Sequence, residues 1–185
     1  NFIVTINLID KMLQYDVNKL VFSSSATVYG SINKSPIDEN ASTKPINPYG
    51  EIKLSIENFL KYICSSNPNF SCVSLRYFNP VGAHESGLIG EEPKDTPNNI
   101  VPIIMKVALK EQNIFNIYGN DYPTNDGTAI RDYIHVMDLV DGHVCALNYI
   151  QNLSGYFTFN LGTGFGVSVL ELLKAFEEYC KIKIP

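Results

Sequence analysis

The sequence predicts an α/β fold, part of a doubly wound parallel sheet with a smaller α/β lobe added to it. Three observations lead there. Phe2, Ile3, Ile6, Ile9, Met12 and Leu13 recur at helical spacing over residues 2–14, which is the apolar face of an amphipathic helix. Asp16-Val17-Asn18 closes that helix, and Lys19-Leu20-Val21-Phe22 runs on into Ser23-Ser24-Ser25. A short apolar run of this kind reads as a buried strand over 19–25. The order of helix then strand recurs at 49–65 with 71–77 and at 139–150 with 156–161. That is the rhythm of a doubly wound sheet, in which ligands bind beyond the carboxyl ends of the strands.

The remaining elements follow in order. Residues 31–48 are rich in Ser, Asn, Pro and charge and form a loop. Pro48 suits the first helical position, and Ile52, Ile56, Phe59, Leu60 and Ile63 give the helix from Tyr49 to Ser65 its apolar face. Ser71 to Tyr77 is a strand. Phe78-Asn79-Pro80-Val81-Gly82 follows at its carboxyl end, where Asn-Pro is either a turn signal or, beside an aromatic ring, a ligand contact. Residues 84–99 are a loop. Asn98 and Asn99 cap a helix over 101–111. Ile114 to Gly119 alternates as a short strand, and Asp138 caps the helix over 139–150. Gly162-Thr163-Gly164-Phe165-Gly166 imitates a dinucleotide loop, but Val167 stands where the third glycine belongs. It reads as a tight strand-to-helix turn. Ser168-Val169-Leu170-Glu171 is a capping box for a helix over 169–180, and Lys181 to Pro185 reads as the start of a strand.

Composition excludes several functions. With a net charge of −5 over 185 residues and no basic stripe, nucleic acid is not an expected partner. No apolar run approaches the roughly 18 residues of a membrane span. Cys64, Cys72, Cys145 and Cys180 lack metal-type spacing. They read as free thiols of a reducing cytoplasm rather than ligands or disulfides.

The residues that point to chemistry are Ser25, Tyr49 and Lys53. Four apart on a helix, Tyr49 and Lys53 share a face. A phenol has an ordinary pKa of about 10, and an adjacent ammonium favours its ionised form. The pair therefore makes a general base, with a hydroxyl at the strand end bridging it to a substrate hydroxyl. On spacing alone the same pair is also an ordinary surface couple. Arg131 has the planar guanidinium that suits phosphate, or else pairs with Asp126 or Asp132. His135 reads as a hydrogen-bonded structural residue.

Longer motifs decide between such readings. Ser23-Ser24-Ser25-Ala26-Thr27-Val28-Tyr29-Gly30, Pro48-Tyr49-Gly50-x-x-Lys53 and Leu75-Arg76-Tyr77-Phe78-Asn79-Pro80-Val81-Gly82-Ala83-His84 resemble the extended short-chain dehydrogenase/reductases. Pro97-Asn98-Asn99, Tyr118-Gly119-Asn120-Asp121-Tyr122-Pro123-Thr124-x-Asp126-Gly127-Thr128 and Arg131-Asp132-Tyr133-Ile134-His135-Val136-Met137-Asp138-Leu139 narrow the resemblance to the UDP-glucose 4-epimerase branch. Ile52 departs from it, since relatives often carry a small hydroxyl residue before the lysine.

The resemblance implies a Rossmann-like NAD-binding sheet and interconversion of UDP-galactose and UDP-glucose through a 4-keto intermediate. It implies Ser25, Tyr49 and Lys53 as catalytic residues. Ser23, Ser24, Ser25, Tyr49, Lys53 and Phe78 become cofactor contacts. Ser25, Tyr49, Asn79, Asn99, Asn116, Tyr118 and Arg131 become substrate contacts, with no metal. Residues 1–80 would be the second half of the NAD-binding domain. Residues 81–185 would be mainly a substrate lobe, with strand 156–161 returning to the NAD-binding sheet. The family's glycine-rich loop and last substrate contacts are absent, so the chain reads as the middle of a longer enzyme that pairs as a homodimer. The alternatives are a sister nucleotide-sugar dehydratase or decarboxylase, or an inactive truncated piece. No acid follows Ser25 within 25–29, which favours the epimerase.

Overall fold

The computed structural model describes residues 2–31 and 35–185. In chain order its elements begin with α1 (Phe2–Gln14), β1 (Lys19–Ser25), a single 3-10 turn (Ala26–Tyr29), α2 (Pro48–Ser66) and β2 (Ser71–Tyr77). Then come β3 (Asn79–Val81), α3 (Ile100–Ala108), β4 (Ile130–Arg131), β5 (Tyr133–His135) and α4 (Val136–Tyr149). The chain continues through β6 (Gly155–Leu161), β7 (Val167–Ser168) and α5 (Val169–Cys180). Two units result: Asn1–Phe78 with Asp138–Gly164, and Asn79–Met137 with Phe165–Pro185.

The first unit is a parallel sheet in the order β1-β2-β6, the α/β architecture expected from the helix–strand rhythm. Its register runs unbroken, from Lys19 beside Ser71 to Ser25 beside Tyr77, and Tyr77 in turn lies beside Leu161. All three carboxyl ends therefore finish level. The central strand β2 is buried through six consecutive residues, as a strand covered on both faces must be. Towards one face Cys72 joins Ile9 and Met12 of α1 and Ile56, Leu60 and Cys64 of α2. Towards the other, Val73 and Leu75 pack with Ala146 of α4 and Ile150 just after it. Each large side chain buried in this way contributes about 1.5–3 kcal/mol. The alternation of β2 thus sorts its residues into the two layers.

Local signals place α2. The Asn47 side chain accepts the Gly50 N–H at 2.8 Å, and Pro48 occupies the first turn, where its missing N–H costs nothing. Gly30 lies before this segment at φ +69°, and a Cβ there would sit 1.9 Å from the Lys44 carbonyl oxygen. Only glycine fits. The expected apolar face of α2 needs one correction. Ile52 is exposed, and Glu57 is fully buried instead.

The second unit contains two small ladders. β3 pairs in parallel with β5, so Asn79-Pro80-Val81 forms a strand rather than the turn its Asn-Pro suggests. β4 pairs antiparallel with β7, Arg131 lying opposite Val167. The glycine-rich run before β7 opens no dinucleotide loop. Ser168 caps α5, accepting the Glu171 N–H at 3.1 Å while Glu171 accepts the Ser168 N–H at 2.8 Å. Five expectations fail along the chain. Residues 114–119 form no strand, because alternation supplies a face but not a partner ladder: Phe115 N–H bonds the Pro185 carbonyl at 2.7 Å. Residues 181–185 likewise form no strand, since Ile184 N–H is taken by the Glu177 carboxylate at 2.8 Å. Helix α3 ends at Ala108 rather than 111, and Asn99 makes no side-chain cap. Asp138 lies inside the first turn of α4 rather than before it.

Candidate active site

The site begins where β1 ends. Ser25 is the last residue of the strand and the cap of the following 3-10 turn, with extended backbone angles. Its hydroxyl oxygen accepts from the Thr27 N–H at 3.2 Å and from the Thr27 hydroxyl at 2.9 Å. Two donors on one oxygen leave the Ser25 proton free to be given elsewhere. The Ser25 hydroxyl lies near the Tyr49 phenol and favours its ionised form. The first turn of α2 carries Tyr49, and Lys53 follows one turn on. The Lys53 ammonium lies 5.5 Å from the Tyr49 ring centroid and 5.1 Å from that of Phe22. It donates to the Ser23 carbonyl at 2.7 Å. Helix and strand end are tied together by that bond.

The electrostatics depart from expectation. Burial pushes the Tyr49 phenol above its ordinary value, the Tyr77 phenol adds to this, and the Ser25 hydrogen bond offsets it in part. Burial also lowers Lys53. Both groups are moved toward their neutral forms, as desolvation requires. Lys53 alone does not make a phenolate of Tyr49 here.

Ser24 is a second correction. Alternation turns its side chain to the opposite face from Ser23 and Ser25. There it is fully buried and donates to Glu57 Oε1 at 2.5 Å. Its hydroxyl is unavailable to a cofactor. Glu57 also accepts from Arg76 Nε at 2.9 Å and Nη2 at 2.5 Å. Arg76 Nη1 donates to Tyr29 Oη at 3.0 Å, and Tyr29 donates to Asn160 Oδ1 at 2.7 Å. Burial opposes the Arg76 charge, but its bonds to Glu57 and Tyr29 outweigh that and hold it fully protonated. The Asn160 N–H donates to Glu39 Oε1 at 2.8 Å. Glu39 therefore pins the loop ahead of α2.

Phe78, half-buried, continues directly from β2, its N–H bonded to the Leu161 carbonyl at 3.1 Å. Ser23, Ser25, Tyr49 and Lys53 are thus brought together in the first unit, with Phe78 on the same sheet edge. The expected substrate contacts of the second unit are not gathered by bonds to one another. Asn79 donates its amide to the Asp132 carbonyl at 3.0 Å. Asn99 donates to Glu91 Oε1 at 2.6 Å. Asn116 and Tyr118 are exposed on the extended segment before Gly119. Arg131 is exposed, and its guanidinium donates to the Ile130 carbonyl at 2.8 Å. Asp126 instead accepts from Thr128 and Ser168. His135 accepts the Met137 N–H on Nδ1 at 3.2 Å. A Cβ on Gly82, at φ +88°, would meet the His135 ring at 2.4 Å.

Three residues near the base were not singled out by the sequence. Thr27 is the donor that orients Ser25, and its spacing of two was the available signal. Tyr77 raises Tyr49, and it stands level with Ser25 in the register. His143 reaches Ser23 from α4, and a lone histidine on a helix gave no sign of that.

Among the described residues no cluster of His, Cys, Asp and Glu could hold a metal. No helix among them is long and apolar enough to cross a membrane.

The sequence profile of the NAD dependent epimerase/dehydratase family matches residues 1–162. The chain belongs to that family. It is 51% identical over 98% of its length to UDP-glucose 4-epimerase 3 of Oryza sativa subsp. japonica, covering 49% of that protein. It is 49% identical over its whole length to the UDP-glucose 4-epimerase of Bacillus subtilis (strain 168), covering 55% of it. The chain therefore spans about half the length of the curated relatives it matches. Among solved structures it superposes on the UDP-glucose 4-epimerase of Bifidobacterium longum in complex with NAD+ and UDP. There the TM-score is 0.93 and the identity 49%, over 98% of this chain and 54% of that one. The enzyme from Stenotrophomonas maltophila with bound NAD and formylated UDP-arabinopyranose gives a TM-score of 0.94 at 47% identity, over 98% of this chain and 54% of that one. The motif resemblance and the α/β parallel-sheet architecture are both borne out by these relatives.

Proposed function

We propose that the protein carrying this chain is a UDP-glucose 4-epimerase, interconverting UDP-galactose and UDP-glucose with NAD. The observation that carries the reading is the Ser25–Tyr49–Lys53 arrangement at a level strand edge, backed by relatives of that name at about half identity. In this reading Tyr49 takes the proton of the sugar C4 hydroxyl, and Ser25 hydrogen-bonds the same oxygen and passes the proton. Lys53 holds the helix to the strand end and offers its remaining N–H donors to a ribose. Phe78 offers a ring face beside it. A half-buried ammonium and an aromatic at one strand edge fit a nicotinamide nucleoside. When bound, NAD supplies a recycled redox store and a ring cation whose charge adds to that of Lys53 in favouring the Tyr49 phenolate.

The first unit then serves as part of the NAD-binding domain and the second mainly as the substrate lobe. Asn79, Asn99, Asn116, Tyr118 and Arg131 grip the UDP-hexose there, with Arg131 on the diphosphate. A homodimer is supported by the apolar residues left exposed on α1, among them Ile3, Val4 and Leu8, and by Tyr62 on α2. A cytoplasmic setting is supported by four unpaired cysteines. Burial pushes Cys64 up to about 11, so it stays an inert thiol.

The test uses the full-length protein with UDP-galactose, following UDP-glucose and reduced-nicotinamide absorbance together. Product without net reduced cofactor is expected. Accumulating reduced cofactor, or a dehydrated or decarboxylated sugar, would overturn the epimerase in favour of a sister reaction.

A further inference from the structure

Behind the lysine of the site stands a histidine that the proposed chemistry does not use. His143 lies on α4, half-buried, with its Nε2 3.2 Å from the Ser23 hydroxyl. Its Nδ1 lies 2.9 Å from the Leu139 carbonyl. A carbonyl only accepts, so Nδ1 must carry a proton. In the neutral ring Nε2 is then the acceptor, and Ser23 must donate to it. The tautomer follows from the partners alone. Ser23 is thereby fixed from two sides: its hydroxyl by α4, and its carbonyl by the Lys53 ammonium of α2 at 2.7 Å. The ring also packs against Tyr77, with centroids 6.0 Å apart and planes tilted by 49°. Tyr77 is the phenol whose charge bears on Tyr49.

We propose that His143 is a positioning residue for the base: by accepting the Ser23 hydroxyl it locks the peptide whose carbonyl anchors Lys53 beside Tyr49. The role deepens the epimerase reading and rests on it. His143 touches neither substrate nor cofactor in this account. Its effect passes through one residue of β1, where side chains from two helices meet, one on the Ser23 hydroxyl and the other on its carbonyl. If the bond is lost, the strand-end peptide is held only from the Lys53 side, and the ammonium gains room to drift. A misplacement of about 1 Å in such a group costs up to about a hundredfold in rate.

The test has two arms in the full-length protein. In the kinetic arm, His143→Leu is expected to lower kcat about tenfold or more while KM for UDP-galactose stays within about twofold. His143→Gln, whose carboxamide reaches the Nε2 position with an acceptor, should restore most of kcat. Ser23→Ala should lower kcat similarly, and the double variant should be no worse than either single. In the second arm, nitrogen-15 chemical shifts of the ring are expected to show the Nδ1–H tautomer in the wild type, and in Ser23→Ala the same tautomer with the Nε2 shift moved by loss of its hydrogen bond. Thermal midpoints separate packing from positioning, since a Leu side chain keeps the volume. Equal kcat in His143→Leu, additive losses in the double variant, or an Nε2–H tautomer in the wild type would each overturn the proposal. If the wild type lacks epimerase activity, the function reading fails, and the tautomer arm still decides whether His143 clamps Ser23.

Discussion

Ser24, Ser25 and Arg76 lie buried in the sheet unit and bonded to neighbours. In the second unit, Asn116, Tyr118 and Arg131 stand exposed at element ends and on irregular backbone. Of the first group only Ser25 is assigned to proton transfer, and Tyr49, the base, is 46% exposed, so the ordered side of the contrast is the frame behind the base rather than the base itself. A proton-transfer group has to be held before substrate arrives, because its rate depends on geometry within a fraction of an ångström. Residues that grip a diphosphate or a base are held by the ligand itself. They can be left on the surface at little cost to the fold.

The largest effect that sharpens the contrast is expected at the base in front of that frame. Tyr49→Phe in the full-length protein removes the oxygen that takes the proton and should reduce kcat by about 10²–10⁴, with UDP-sugar binding nearly unchanged. A variant that keeps its turnover would remove Tyr49 from the base role. One layer below, Arg76→Met strands the buried Glu57 carboxylate. It should lower stability by about 3–5 kcal/mol, read from denaturant or thermal unfolding. The double variant Arg76→Met with Glu57→Leu should recover much of that, since a buried pair costs most when half of it is deleted. No recovery would mean that the pair supports the loop through Glu39 and Asn160 rather than through its own charges.

A subtler effect concerns pH. Burial raises Tyr49 and lowers Lys53 in this chain, so the positive charge near the phenol is lost earlier on the alkaline side than an ordinary lysine would lose it. With NAD bound, the rate should rise with pH as Tyr49 ionises. Lys53→Met should then move that rise upward by about one unit, because the ammonium favours the phenolate. An unshifted profile would leave Lys53 with only its anchoring bond to the Ser23 carbonyl.

Much of the sheet unit was legible because its signals are local and periodic. The apolar spacing of α1, the strand run into Ser23 and the Pro48 start of α2 each need only neighbouring residues. The Ser168–Glu171 capping box is legible for the same reason. What escaped depends on partners distant in sequence. Glu57 reads as a solvated helix residue until Arg76, on the next strand, is known to lie against it. Ser24 and Ser25 are indistinguishable as letters, and only the pleat sends one to Glu57 and the other to Tyr49. The alternation of 114–119 looked like a strand because a sequence shows a face but never a ladder. His143 reaches Ser23 from 120 positions away, and no spacing rule spans that distance.

The smallest expected effect tests the exposed half of the comparison. Arg131 is exposed on the two-residue strand β4, with a guanidinium bond to the Ile130 carbonyl. Removing the side chain leaves no buried partner behind, so Arg131→Ala should change stability by no more than about 0.5 kcal/mol. Its charge-assisted bonds to a diphosphate are worth about 1.5–3 kcal/mol. KM for UDP-galactose should therefore rise by about tenfold or more while kcat stays level, which is the signature of uniform binding lost. Measuring both in one variant separates the two kinds of residue. A fall in stability with KM unmoved would make Arg131 a structural residue and remove the contrast at that position. A fall in kcat would mean that the grip on the diphosphate also sets the sugar against Tyr49.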